Sequence, residues 1–570
     1  MGKRLVAAFL SALVVSGAPP FAVHAADGEA ARASGFLTPM PKEDRVDHAL
    51  NRLTFGPRPG DAAQVSAIGL KKWMELQLHP ERIPENPVLL GKLKMLDSLG
   101  MSGEELVRHY PNPQMVRQML SGQMPFPSDP DRRMMVRTLA ARMEARQRQD
   151  AAPNPDAQDE KALTQTLTQD EMSAVRTGPP RDRVAALLSM PKEKQDDVLE
   201  ALGAGARRAL FPAAPDELRR RIEMAGGPAQ VVALDLSEAK MLRAIYSNRQ
   251  LVEVLDDFWF NHFNVYLDKG ADHYLVTEYE RDVIRPRVLG KFRELLEATA
   301  KSPAMLFYLD NWESSAVSPA PGSGNRVRRG LNENYGRELM ELHTLGVNGG
   351  YTQKDVTEVA RCFTGWSIDQ PQRGGKYVFR PRLHDNGPKT VLGVHIPAGG
   401  GEKDGERVLD ILARHPATAR FISRQLAMRF VADEPPASLV DLMADRFVKS
   451  DGDIRAVLET MFRSREFWSA AAYRSKMKSP FEMAVSAVRA ASGDVDFAFA
   501  LVNQVAQMGE PLYRKMEPTG YSNASREWMN TAGLMGRLNF AVQLAANHVP
   551  GVKVQGAEGI ALGSPEFQKR

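Results

Sequence analysis

The sequence holds one cysteine, Cys362, in 570 residues. No disulfide can close within the chain, and stability must come from the core. A lone thiol on the apolar side of a helical stretch reads as a small buried hydrophobe. Long apolar runs are also missing: none approaches the ~20 residues that a membrane helix needs, and a mean hydropathy of -0.35 excludes a polytopic membrane protein. Charge of one sign is scarce in excess. Lys and Arg number 74 against 70 Asp and Glu, a net +4, and no Lys/Arg run is longer than Arg219-Arg220-Arg221. Nucleic acid is therefore not an expected partner. Neither GxSxG nor HExxH occurs, so the sequence supports neither a serine nucleophile elbow nor that class of zinc helix.

What is present is a globular composition, 43% hydrophobic and 25% charged. The length suits about two or three ordinary domains or one large helical body with insertions. The first residues, MGKRLVAAFLSALVVSGAPPFAVHAADG, place Lys3 and Arg4 before an apolar run from Leu5 to Ala18 and small residues up to Ala25. That is the build of a secretory signal. Cleavage after Ala25 and a periplasmic or secreted location are expected, with no stable membrane span after signal removal.

Residues 26–42 are Ala/Gly/Pro-rich and read as a flexible linker. From Glu43 apolar residues recur at helical spacing, with Pro- and Gly-marked breaks. Residues 43–236 read as an N-terminal helical region, a scaffold or lid, and 237–549 as the main helical region, with 550–570 as a tail. The period drops to two at Lys376–Arg380 and at Lys389–Gly393, around the turn residues His384-Asp385-Asn386-Gly387-Pro388, which predicts one hairpin near 376–393. The expected fold class is mainly α, a large multi-helix domain with a small β-hairpin insertion.

The stretch densest in reactive groups is GLNENYGRELMELHTLGVNGGYTQKDVTEVARCFTGW, from Gly330 to Trp366. Taken as one helix from Leu331 to Leu345, it buries Leu331, Tyr335, Leu339 and Leu342 and sets Asn334, Glu338 and Glu341 in a polar row beside them. Two readings stand. In one, Glu333, Arg337 and Glu341 form an i,i+4 surface charge ladder, and His343 sits at the favourable C-terminal end. In the other, Glu338, Glu341 and His343 meet Asp257 and His262 of a neighbouring helix in a cleft fit for acid/base chemistry. A metal held between two helices would use Glu-x-x-His, whereas Glu341 and His343 are i,i+2 and Glu338 and His343 are i,i+5. The metal and any other cofactor stay unassigned.

Other candidates have simple structural readings. The glycine run Gly399-Gly400-Gly401 precedes a helix, but no strand with GxGxxG accompanies it, so a turn fits better than a phosphate cradle. Trp259, Trp312 and Trp366 could stack on sugar rings, although such residues are more often core.

Longer motifs point to a family. NRLTFGPRPGD, NRQLVEVLDDFWFNHFNVYLDKG, YERDVIRPRVLGKF, SPAMLFYLDNW, the stretch from Gly330 to Trp366, FRPRLHD, TVLG and MGEPLYRKMEPTGYSN resemble the bacterial domain of unknown function 1800 family. The resemblance spans about Glu43 to Ala546. It implies an exported protein whose gene commonly neighbours that of a sulfatase-like exported protein, and it supplies no accepted catalytic set. Two functions are carried forward: an envelope hydrolase with a carboxylate/histidine cleft, and a non-enzymatic scaffold or maturation partner of a sulfatase-like exported protein.

Overall fold

A computed structural model describes residues 35–130, 132–133, 136–137, 140, 167–316, 330–555 and 559–570. The expected signal and most of the expected linker lie outside these residues. Within them the fold is mainly α, with three two-stranded antiparallel sheets among the described residues. No described helix is long and apolar enough to cross a membrane.

Only the elements that frame the site need labels: α1 (Arg45–Leu53), α2 (Pro228–Tyr246), α3 (Gln250–His262), α4 (Gln353–Cys362), α5 (Lys403–Ala413), α6 (Pro416–Phe430), α7 (Pro480–Ala490) and α8 (Thr531–Ala545). Local sequence sets their ends. Proline opens α2, α6 and α7, where a missing N–H costs nothing. Thr352 with Asp355 and Ser479 with Glu482 form reciprocal capping boxes at α4 and α7.

The organising element is α2. It is buried on nearly every face, and its buried charges Asp235 and Lys240 are paired with Arg220 and Asp257. The principal core wraps it and draws on residues from Phe36 to Leu562. The boundary expected between 236 and 237 falls inside this helix, so the two expected regions share one continuous element. Smaller clusters lie under Leu106–Met124 and within 167–222. Arg220, of the only basic triplet, is occupied by Asp235 at 2.6 Å and by Asp97.

The linker and tail ends are tied down where they are described. Phe36 and Met40 are buried, and the Met40 N–H donates to the Trp468 carbonyl at 2.8 Å. In the expected tail, Val552–Lys553 pairs with Asp494–Val495, and Arg570 is buried.

Two expectations need correction. The strands foreseen at 376–380 and 389–393 form, but not with each other. Trp366–Ile368 (β1) pairs with Tyr377–Phe379 (β2), and Lys389–Val391 (β3) pairs with Val394–Ile396 (β4). Leu392 and Gly393, at φ 49° and 77°, make the two-residue turn between β3 and β4, the left-handed pair that a tight hairpin requires.

The helix expected over 331–345 is also not regular. It begins as α-helix at Asn334–Glu338 and widens to a π-helix over Leu339–Thr344. The Thr344 hydroxyl donates to the Leu339 carbonyl at 2.7 Å, and the Leu345 N–H donates to the Met340 carbonyl at 2.8 Å. Both bonds reach five residues back, and the wider turn rotates everything beyond Glu338. Tyr335, Leu339, Met340 and His343 are the buried set, whereas Leu331 is 40% exposed.

Candidate functional site

The π-helix divides the five expected site residues. His343 turns into the core, and its carbonyl accepts a hydrogen bond from Nε2 of His262 at 3.1 Å. The two rings lie 6.3 Å apart, with Phe263 against His343. Burial lowers His262 to about 4 and His343 to about 3, so both are neutral at neutral pH.

Glu338 and Glu341 lie elsewhere on this segment. Glu338 is half-buried, and burial, reinforced by Glu341, raises its pKa. The Tyr351 hydroxyl reaches Glu341 at 3.4 Å. Of the surface ladder, Glu333–Arg337 forms at 3.4 Å. Asp257, the fifth residue, is ion-paired to Lys240 of α2 at 2.8 Å. Among the described residues no group of three or more His, Cys, Asp and Glu side chains is arranged to hold a metal.

What the end of α3 and the residues just past it contribute most clearly is a polar edge against the segment 509–530. The Asn264 amide donates to the carbonyls of Lys515 and Glu517 at 2.9 and 3.0 Å, and Asn261 clamps Tyr521. Between this edge and that segment run two adjoining spaces. The outer is a cleft of about 390 Å³ lined by His262, Leu342, Phe421, Gln425, Lys515 and Tyr521 among others. Neither Glu338 nor Glu341 is among the described residues that line it. The inner is a cavity of about 50 Å³, room for a few waters at ~10–15 Å³ each. Phe258, Asn261, Tyr521, Ser522 and Asn523 line both.

The inner cavity is surrounded by charge. Lys240, Asp257, Arg429, Glu482, Glu510 and Arg570 all line it. Lys240 is buried beneath the rings of Phe260, Phe481 and Tyr513. Burial alone would lower its pKa, but the Asp257 and Glu280 carboxylates outweigh that and raise it. Glu482 is ion-paired through Oε1 with Arg429 at 2.5 Å and with Arg570 at 3.0 Å, while its Oε2 caps α7 by accepting from the Ser479 N–H at 2.9 Å. Glu510 accepts from the Phe481 N–H at 2.8 Å. Its pKa is pushed up to about 8, by burial first and then by the charge of Asp257. Sequence reading missed Lys240 and Glu510. The signal for Lys240 was a charge in the run SEAKMLRAIY, whose apolar neighbours recur on every side, and Glu510 lay unremarked in the motif MGEPLYRKMEPTGYSN.

The other sequence candidates are structural. Trp259 and Trp366 are fully buried, and Trp312 stacks on Phe307 with ring centroids 5.6 Å apart. Asp385 pairs with Arg361 at 2.8 Å. The glycine run closes around Asp404, whose Oδ2 takes Lys389 at 2.6 Å and His384 at 3.1 Å.

No curated protein and no solved structure matches the chain. A family model does, over residues 48–568, nearly the whole length. The chain thus belongs to the family described as protein of unknown function (DUF1800).

Proposed function

We propose that this protein is an exported hydrolase in which Glu510 is the general acid and Asp257 the general base. The observation that carries the reading is the shared cavity, where Glu510 and the Asp257 that pairs with Lys240 face the same small space. Glu510, at about 8, holds a proton at neutral pH, while Asp257 is ion-paired to Lys240. Carboxyl groups whose environments separate their ionisation divide the roles of acid and base. Glu510 would give a proton to the leaving oxygen, and Asp257 would take one from the attacking water. Only the small reacting end of a substrate fits the inner cavity, so the rest of an ester or glycoside would lie along the outer cleft beside His262. Glu338, Glu341 and His343 then support the site through the segment that carries Leu342 and the carbonyl held by His262. The signal-like first residues support export.

The test is a screen of the purified full chain against ester and glycoside panels, repeated with Asp257→Asn and Glu510→Gln. Each substitution should lower turnover by about 10²-fold or more at a temperature where circular dichroism shows the chain folded, since Asp257→Asn also strands the buried Lys240 and lowers the unfolding midpoint. Full activity in both variants, or no turnover of any substrate, would sink the reading.

One observation favours the second function, a scaffold or maturation partner. On α8, Leu534, Met535, Leu538 and Val542 are 39%, 55%, 43% and 51% exposed, an apolar row of the kind that docks on another protein. Mixing with an exported sulfatase-like protein should then give a stoichiometric complex that Met535→Asp abolishes. Independent elution of the two proteins would remove this reading.

A further inference from the structure

The charges around the inner cavity do not balance. Four buried cations, Lys240, Arg429, Arg570 and Arg537, stand against three anions, Asp257, Glu482 and the Glu280 that acts with Asp257 on Lys240. Asp257 matches Lys240, and the single Glu482 carboxylate is shared between Arg429 and Arg570. Glu510, at about 8, brings no charge at neutral pH.

That leaves Arg537 of α8. It is 1% exposed, and among the described residues its Nε, Nη1 and Nη2 have no hydrogen-bond partner. The carboxyl groups that act on it are Glu510 and Glu482, both on the cavity wall, and Glu510 holds its proton at neutral pH. Arg570, which lines the cavity and is 6% exposed, likewise has an unpartnered Nε. A guanidinium cannot shed its charge to escape such a position, and burying it without a counter-ion is costly.

We propose that this cavity is a subsite for one small oxyanion, the carboxylate, sulfate or phosphate group of an anionic substrate, held by Arg429 and Arg570 with the charge of Arg537 behind them. The space of about 50 Å³ admits such a head group and no ring. Planar guanidinium forks match oxyanions in pairs of parallel N–H bonds, which sets this site apart from a general basic surface. The proposal rests on the hydrolase reading only for its statement that the anion belongs to a substrate.

The experiment is calorimetric titration of the full chain with sulfate, phosphate and acetate in separate arms at pH 7. Saturable binding of one ion per chain is expected in at least one arm, and the preferred arm names the group. Arg429→Met and Arg537→Met should each weaken that binding at least tenfold. Arg537→Met should fold at least as well as the parent, because it removes a charge that has no partner. No saturable binding in any arm overturns the subsite, as does binding within twofold of the parent in both variants. Saturable binding with no hydrolysis of any anionic ester or glycoside leaves the subsite standing and removes the hydrolase. Hydrolysis of neutral substrates without anion binding does the reverse.

Discussion

Asn261 holds Tyr521 by both ends of its side chain: the amide oxygen accepts from the Tyr521 N–H at 2.6 Å, and the amide nitrogen donates to the Tyr521 carbonyl at 2.7 Å. One residue on α3 thereby fixes the segment that separates the inner cavity from the outer cleft. The next residue back along that segment is Gly520, at φ 67°, where a Cβ would lie 2.2 Å from the Asn261 carbonyl. Glycine is what permits so close an approach.

Asn261→Ala removes both bonds and leaves the Tyr521 backbone to find water. A loss of about 2 kcal/mol follows from the usual worth of two such bonds. Hydrogen exchange should show it locally, with amides of 515–523 losing protection while those of α2 keep theirs. Uniform loss across the chain would mean that the clamp serves the whole fold rather than this segment.

Cys362 should be silent in the native protein. It is fully buried, and burial pushes its thiol up to about 12, with Lys389 and Asp404 as lesser influences of opposite sign. Because the thiolate is the nucleophile, an aromatic disulfide reagent at pH 8 should react on the order of 10³-fold more slowly than with a free thiol. In denaturant, one equivalent per chain should react at the ordinary rate. Rapid native labelling would contradict the burial of the α4 C-terminus.

Much of the fold was legible because apolar spacing of 3.6 is a local signal, and α1, α3 and α4 follow it. Partnership between strands is not local. The period-two runs at 376–380 and 389–393 were real, but the Leu392-Gly393 turn gives the second its partner within Val394–Ile396, and the first pairs back with Trp366–Ile368. The site was less legible for the same reason. Density of titratable groups along Gly330 to Trp366 says nothing about which groups face one another, and the π-turn at Leu339–Thr344 moved His343 away from the face a regular helix would give it. The inner cavity joins residues 240, 257, 429, 482, 510 and 570, far apart in the sequence, and of these only Asp257 stood among the expected site residues.

Two buried groups should pull stability in opposite directions with pH. His343, at about 3 when folded against 6.5 as a free side chain, contributes stability above pH 6.5 that is lost as pH falls toward 3. Glu510, at about 8 against 4.5, contributes stability below pH 4.5 that is lost as pH rises through 8. Each has a slope of ~1.4 kcal/mol per pH unit, so the two cancel between 4.5 and 6.5. Urea unfolding of His343→Asn across this window should show stability falling relative to the parent as pH rises. Glu510→Gln should show the opposite relative slope and should gain on the parent up to pH 8. The comparison uses slopes, so a fixed packing loss in either variant does not disturb it. Parallel profiles for all three proteins would refute both assignments.

The glycine run before α5 gives the sharpest steric test. A Cβ on Gly400 would stand 1.9 Å from Oδ1 of Asp404. That carboxylate cannot yield easily. It is 2% exposed, and its other oxygen already holds Lys389 and His384, both buried. Moving it would strand a buried ammonium, and breaking a buried pair is costly. Gly400→Ala is therefore expected to lose about 2–3 kcal/mol, the overpacking range. At Gly399, by contrast, a Cβ meets nothing within 4 Å and only the φ of 83° resists it, a strain of ~1 kcal/mol. Urea midpoints should therefore fall further for Gly400→Ala than for Gly399→Ala. If the order is reversed, backbone conformation rather than the enclosed carboxylate is the reason for glycine in this turn.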